Sequence, residues 1–343
     1  VPPPVETKPL PAPVTNSLGM RFVLVPGTDI LMCVHETRRR DYAPYHAAIP
    51  GVDQSWKSTD IYGTAFKEDE NLPVMRVSWE DAMLYCDWLS HKEGRLYRLP
   101  TDREWSRAVG IGMDEAPYMT PGELSAKITG VYPWGAQWPP PAGAGNYADD
   151  AAKAQALLEN PKLDLKGIVE GYKDGFATLA PVMSLKPNAL GLYDLGGNVQ
   201  EWCLDWFDEK VGRRVMRGAA WNKHLDTHLI SSRRDHTAYD GRGFNIGFRL
   251  VLVPGAKPPV PEPLKTPPQT AFTNTLGMKF VPVPGTDICI CVHETRRGDY
   301  ARYVAETPGT DTAWNFTIAA GRPENQGDDF ALGGMSWNDA TAF

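Results

Sequence analysis

Residues 187–202 read Pro187-Asn188-Ala189-Leu190-Gly191-Leu192-Tyr193-Asp194-Leu195-Gly196-Gly197-Asn198-Val199-Gln200-Glu201-Trp202. Asp194, Gly197, Val199 and Glu201 alternate acid, carbonyl, carbonyl and acid along a glycine turn. Such a segment is bent and oxygen-rich, and hard cations such as calcium take carboxylate and carbonyl oxygens. Asp194 and Glu201 could equally cap turns through their own backbone.

Short motifs extend outward from this stretch in a fixed order. On the amino-terminal side lie Pro73-Val74, Ser78-Trp79-Glu80-Asp81-Ala82, Tyr85-Cys86-Asp87-Trp88-Leu89, Tyr97 to Trp105, Tyr132-Pro133-Trp134-Gly135 and Gly145-Asn146. On the carboxy-terminal side lie Arg217-Gly218-Ala219-Ala220-Trp221 and Asn245-Ile246-Gly247-Phe248-Arg249. Ala82, Tyr85, Cys86 and Leu89 share one face at helical spacing, which predicts a helix over 79–91. Thr101 followed by Glu104 forms a capping box and opens a second helix. His35-Glu36-Thr37-Arg38-Arg39 reads as a strand end and helix start with its charges in solvent. The rest is short apolar runs and turns, so the expected class is an irregular α+β domain.

An internal repeat sets the layout. Residues 16–45 and 274–303 differ at only seven of thirty positions, at a constant offset of 258, and the same offset places Ser336-Trp337-Asn338-Asp339-Ala340 on Ser78 to Ala82. The expected organisation is a proline-rich linker over 1–14, a complete domain over 15–254, a second linker over 255–271, and over 272–343 the first third of another copy. Ending inside the second helix of the domain, that copy reads as truncated, and residues 272–343 alone are expected not to fold cooperatively.

Composition narrows the function classes. Hydrophobic residues make up 42% and charged residues 22%, as in ordinary globular proteins. With 42 acidic and 35 basic residues the net charge is −7, which argues against a nucleic-acid footprint. No run of apolar residues is long enough to span a membrane. Cys33, Cys86, Cys203, Cys289 and Cys291 contain no CxxC pair, and Cys289 and Cys291 point to opposite faces of a strand, so free thiols are expected.

Taken together, the ordered motifs over residues 16–252 resemble the sulfatase-modifying factor family, whose founding member is the formylglycine-generating enzyme. The resemblance implies a variant of the C-type lectin fold, with little regular secondary structure and long ordered loops. It implies copper-dependent oxidases, partner domains of iron enzymes, and display proteins that bind ligands without chemistry. The oxidase needs two cysteines five apart after its Arg-Gly-Gly-Ser motif to bind Cu(I), a soft ion that prefers thiolate. The matching positions here are Lys223 and His228, so copper and formylglycine chemistry are not expected and no catalytic residue is assigned.

The family's substrate groove would put Trp221, Lys223, His224, Asp226 and His228 at the cleft. His224, Asp226 and His228 at alternate positions of an extended segment would present two imidazoles and a carboxylate to one side, the ligand set of non-heme iron oxygenases, though the favoured reading is solvated loop side chains with local hydrogen bonds. The resemblance also implies two structural calcium sites. One maps to Asp194, Gly197, Val199 and Glu201, the other to Asn146, Tyr147, Asp174 and Phe176, with Asp149 and Asp150 close by as competing acids. The function expected is a non-catalytic module in tandem display, binding a protein or small-molecule ligand. The alternative is an oxidoreductase of the iron branch acting on a protein or small thiol. Calcium and spacer-linked domains point to an extracytoplasmic location.

Overall fold

The computed structural model describes residues 12–61, 64–159, 167–259, 270–283, 288–306, 318–319 and 322–323. Most of both proline-rich linkers and the Ser336–Ala340 match lie outside the described residues. The chain divides into two compact units, 1–258 and 259–343.

In the first unit, β1 (Val14–Thr15), β2 (Arg21–Leu24) and β3 (Leu31–Cys33) form an antiparallel meander. Helix α1 (Arg39–Ala48), a two-stranded ribbon β4 (Asp60–Ile61) and β5 (Thr64–Ala65), helix α2 (Trp79–Glu93), strand β6 (Leu96–Arg98) and helix α3 (Asp102–Val109) follow. Residues 110–199 carry only two further described helices, α4 (Pro121–Leu124) and α5 (Asp150–Glu159). The chain closes with β7 (Gln200–Asp208), β8 (Arg213–Arg217), α6 (Asp226–Leu229), β9 (Asp235–Ala238), β10 (Ile246–Gly247) and β11 (Val251–Val253). One sheet has the order β1-β2-β3-β11-β6, and a second has the order β10-β7-β8-β9, in which only β10 and β7 are parallel.

All three residues of β3 are buried, and the pleat explains why. Leu31 and Cys33 face a core built with Phe22, Tyr42, Tyr85 and Leu252, while Ile30, Met32 and Val34 face another with Trp105, Leu195 and Val251. A strand covered on both sides shows no polar alternation. Helix α2 starts where Ser78 accepts from the backbone N–H of Asp81 and Asp81 returns the bond to Ser78, and it stops at Gly94, whose φ is 63°. Ala82, Tyr85, Cys86 and Leu89 are its buried apolar residues, as their spacing predicts, with Asp81 and Ser90 buried beside them. The Thr101–Glu104 capping box opens α3.

His35 to Arg39 end the strand and start the helix as expected, but their charges are not in solvent. All five residues are buried. Arg38 pairs with Asp41 at 2.8 Å, and Arg39 donates to the carbonyls of Trp56, Lys57 and Ser58. Burial of a charge requires such partners, and here each arginine has them.

All five cysteines are free; Cys33, Cys86 and Cys203 are buried. Among the described residues no helix is long and apolar enough to cross a membrane.

The second unit holds β12 (Phe272–Thr273), β13 (Lys279–Pro282), β14 (Cys289–Cys291) and α7 (Arg297–Glu306). Phe280 pairs with Cys291 as Phe22 pairs with Cys33, the register of the first unit shifted by 258. Surroundings differ. Ile288, Ile290 and Val292 are more than half exposed, whereas Ile30, Met32 and Val34 are buried.

Candidate functional site

The segment after β8 is held against two loops. Gly218, at φ 77°, turns the chain; Ala219 N–H then donates to the Gly196 carbonyl and Trp221 N–H to the Asn198 carbonyl. Farther on, the Lys223 carbonyl accepts from Ala148 N–H at 3.0 Å. The segment carrying Lys223 and His228 is thus fastened to the 194–201 turn and to the 146–149 loop.

Trp221, expected at a cleft, is instead core. It packs with Ile61, Leu72, Met75, Leu179 and Val199, and its ring lies 5.9 Å from Phe244. Lys223 Nζ lies 3.8 Å from Asp235, whose carboxylate also receives Arg233 and Gln200 Nε2. Although burial raises the Asp235 carboxyl, Arg233, Gln200 and Lys223 outweigh it and hold the group below its usual range.

The expected ligand triad does not assemble. Asp226 begins helix α6, so the 224–228 segment is not extended and the period-two alternation that would have put all three side chains on one side does not apply. Asp226 itself is exposed and accepts from Thr227 N–H. Burial and the Lys223 charge lower both the His224 and the His228 imidazoles, and Arg233 adds to the effect at His228. Among the described residues no three His, Cys, Asp or Glu side chains converge as a metal-binding group.

The two loops mapped for calcium are sutured to each other. Asn198 N–H donates to the Asn146 carbonyl, and Asn146 Nδ2 donates to Asn198 Oδ1 at 3.1 Å. Gly197 allows this approach, since a Cβ there would lie 2.5 Å from the Asn146 carbonyl oxygen. Asp194 and Asn198 hold left-handed backbone at φ 59° and 65°. Asp174 accepts from Tyr147 N–H and Phe176 N–H; burial, assisted by Asp149, pushes its carboxyl up to about 6. Asp149 caps α5 through Ala151 and Ala152 and also accepts from Asp174 N–H. Asn146 Oδ1 is buried with no hydrogen-bond partner among the described residues.

At the other loop, Asp194 accepts from Met183 N–H, and burial pushes its carboxyl up to about 6 with Glu201 adding to the rise. Glu201 is committed elsewhere. Its oxygens receive Arg249 at 2.6 and 2.7 Å and Trp105 Nε1 at 3.0 Å. Glu36 is a residue the sequence reading missed as part of this site. It accepts from Asn198 Nδ2 at 2.7 Å and from Val199 N–H at 3.0 Å, and burial beside Asp194 and Glu201 raises its carboxyl well above the usual range. The available signal was its place about one turn before a helix and three residues past an all-apolar strand, where a buried acid needs donors from another loop.

The family described as "Sulfatase-modifying factor enzyme 1-like domain" matches residues 12–253. The chain is 30% identical to the formylglycine-generating enzyme of Thermomonospora curvata over 261 residues, 69% of this chain and 73% of that protein. It is 33% identical to the inactive C-alpha-formylglycine-generating enzyme 2 of Mus musculus over 208 residues, 58% of this chain and 55% of that protein. It thus spans about half the length of the mouse relative. The solved structure of PvdO from Pseudomonas aeruginosa aligns at 18% identity and a TM-score of 0.49, covering 72% of this chain and 99% of that one. With its irregular α+β fold and the motif-bearing loops joined around Asn198, the chain belongs to the sulfatase-modifying factor enzyme 1-like family.

Proposed function

We propose that the first unit is a non-catalytic binding module built on this family's scaffold. The observation that carries the reading is the pair Lys223 and His228 at the positions where the oxidase holds its copper thiolates. An ammonium beside a carboxylate offers Cu(I) no soft donor, and the buried Cys33 thiol, pushed up to about 12 by desolvation, is inert as a thiolate source. These residues do not fit copper. Similarity alone does not choose, because relatives at near-equal identity include proteins described as active and as inactive.

Calcium does fit one loop pair. At Asn146, Tyr147, Asp174 and Phe176 a buried amide oxygen lacks a partner and a desolvated carboxylate lacks a counter-charge, the condition a hard cation relieves. At Asp194, Gly197, Val199 and Glu201 the fit is poorer, since Arg249 already neutralises Glu201. Calcium would supply no chemistry here; it would pin the loops. Such dependence suits an extracytoplasmic, calcium-rich setting.

The test is direct. The full chain is incubated with Cu(I), oxygen and a sulfatase-derived cysteine peptide. The expected result is no aldehyde on the peptide and no stoichiometric copper on the protein; aldehyde formation would overturn the reading.

A further inference from the structure

A pocket of about 240 Å³ opens beside β2 and the end of β3, away from the Lys223 segment. His35, only 2% exposed, lines it, with Arg38 and Arg21. The His35 Nδ1 lies 2.7 Å from the Glu36 carbonyl oxygen. A carbonyl can only accept, so Nδ1 carries the proton. Desolvation, with Arg38 adding to it, lowers this imidazole to about 4, so the ring is neutral and its Nε2 is a bare acceptor. Arg38 spends Nε and Nη2 on the two oxygens of Asp41, leaving Nη1. Arg21 stands exposed at the rim.

The rest of the lining is Val23, Val34, Leu190 and Tyr193, two glycines, and Met183, whose φ is 65°. Among the described residues no carboxylate lines the pocket. Asp41 compensates Arg38, so the net charge at the pocket is that of Arg21, which disfavours a metal ion or a cationic ligand, while the neutral His35 ring offers Nε2 as an acceptor to a hydrogen-bond donor. The volume is below the range of ordinary ligand sites, which limits the occupant to a small molecule. The same local arrangement recurs in the second unit, where His293 Nδ1 lies 2.7 Å from the Glu294 carbonyl, Arg296 pairs with Asp299 at 2.9 Å, and Lys279 replaces Arg21.

We propose that this pocket binds a small organic carboxylate carrying its own O–H or N–H donor. The carboxylate sits on Arg21 and on Nη1 of Arg38, and the donor sits on His35 Nε2. The apolar carbons of the ligand rest on Val23, Val34 and Leu190. Neither Lys223 nor His228 lines the pocket, so an active oxidase could carry this site, and its failure leaves the binding-module reading standing.

The experiment follows the His35 imidazole of the full chain by NMR while 2-hydroxyisovalerate, N-acetylglycine or isovalerate is added. A donor-bearing acid is expected to saturate the His35 signal and to bind at least about tenfold tighter than isovalerate, the effect of one added hydrogen bond near charge. Arg21→Ala, at an exposed position, is expected to weaken that binding about tenfold or more with the fold intact. His35→Gln assigns the signal. Equal binding of all three acids, no saturable binding of either donor-bearing acid, or an indifferent Arg21→Ala variant would each overturn the proposal.

Discussion

Both oxygens of Glu36 accept from the 198–199 turn, and Asn198 shares its amide among Glu36, Asn146 and Ala180. Removing the carboxylate strands the Val199 N–H and one N–H of Asn198 Nδ2 in the core, the other staying on the Ala180 carbonyl. Glu36→Ala is therefore expected to cost about 2–4 kcal/mol in urea denaturation, since each buried group left unpaired costs roughly 1–3 kcal/mol. Asp102 is a harsher case. It receives Arg217 at 2.5 Å and Arg234 at 2.9 Å, all three fully buried. Asp102→Ala leaves Arg217 uncompensated and is expected to cost about 3–5 kcal/mol. His35 sets a pH dependence of definite sign. Burial lowers it from 6.5 to about 4, so between those values the unfolded chain binds the proton and the folded chain does not. Its contribution to stability is complete above pH 6.5 and is lost as pH falls toward 4, about 3 kcal/mol in all. Asp174 and Asp194, both raised, act in the opposite direction, so the difference between wild type and His35→Gln across pH 4–7 isolates the histidine. None of these roles was legible in the residues alone. Glu36 and His35 read as solvent charges because the loops that cover them come from residues 180–199, far along the chain.

Elements with their own local signals were legible. Helix α2 was read from four apolar positions, and its capping residues end it where expected within two residues. Ser78→Ala removes the bond from Asp81 N–H and is expected to cost about 1 kcal/mol in thermal or urea denaturation. The 224–228 segment shows the opposite. Period-two spacing suggested an extended arm, but Asp226 begins a helical turn and Leu229 is buried beneath it, so packing decided over pattern. Trp221 likewise went inward because the turn at Gly218 lays its segment along residues 196–198. Where two loops touch through a glycine, a single methyl is informative. Gly197→Ala pushes on the Asn146 carbonyl and on the Tyr147 ring, and is expected to cost about 1–3 kcal/mol. If calcium pins these loops, the same variant also lowers the calcium-dependent rise in Tm. That rise is expected to shrink as pH falls through about 6, where the Asp174 carboxyl takes up a proton.

At the scale of the molecule, the repeat offers an internal control. Met32 and Ile290 occupy equivalent repeat positions in near-identical sequence, yet one is buried and the other 58% exposed. Met32→Ala is expected to cost about 2–5 kcal/mol in the main unfolding transition. Ile290→Ala is expected to leave that transition within about 0.5 kcal/mol. The two changes are read on the same chain by calorimetry.

The strand order of the first sheet has a further consequence, one of timing. Strand β11 lies between β3 and β6, so the last strand of the unit is the one that joins its first hairpin to the rest. A ribosome adding about 5–20 residues per second therefore holds an unfinished sheet until residue 253 has emerged. The next hairpin follows within seconds and offers a β14 with the same register as β3. The interval between these two arrivals is the window in which β11 must find its own partner, and spacer length between copies sets how long that window lasts.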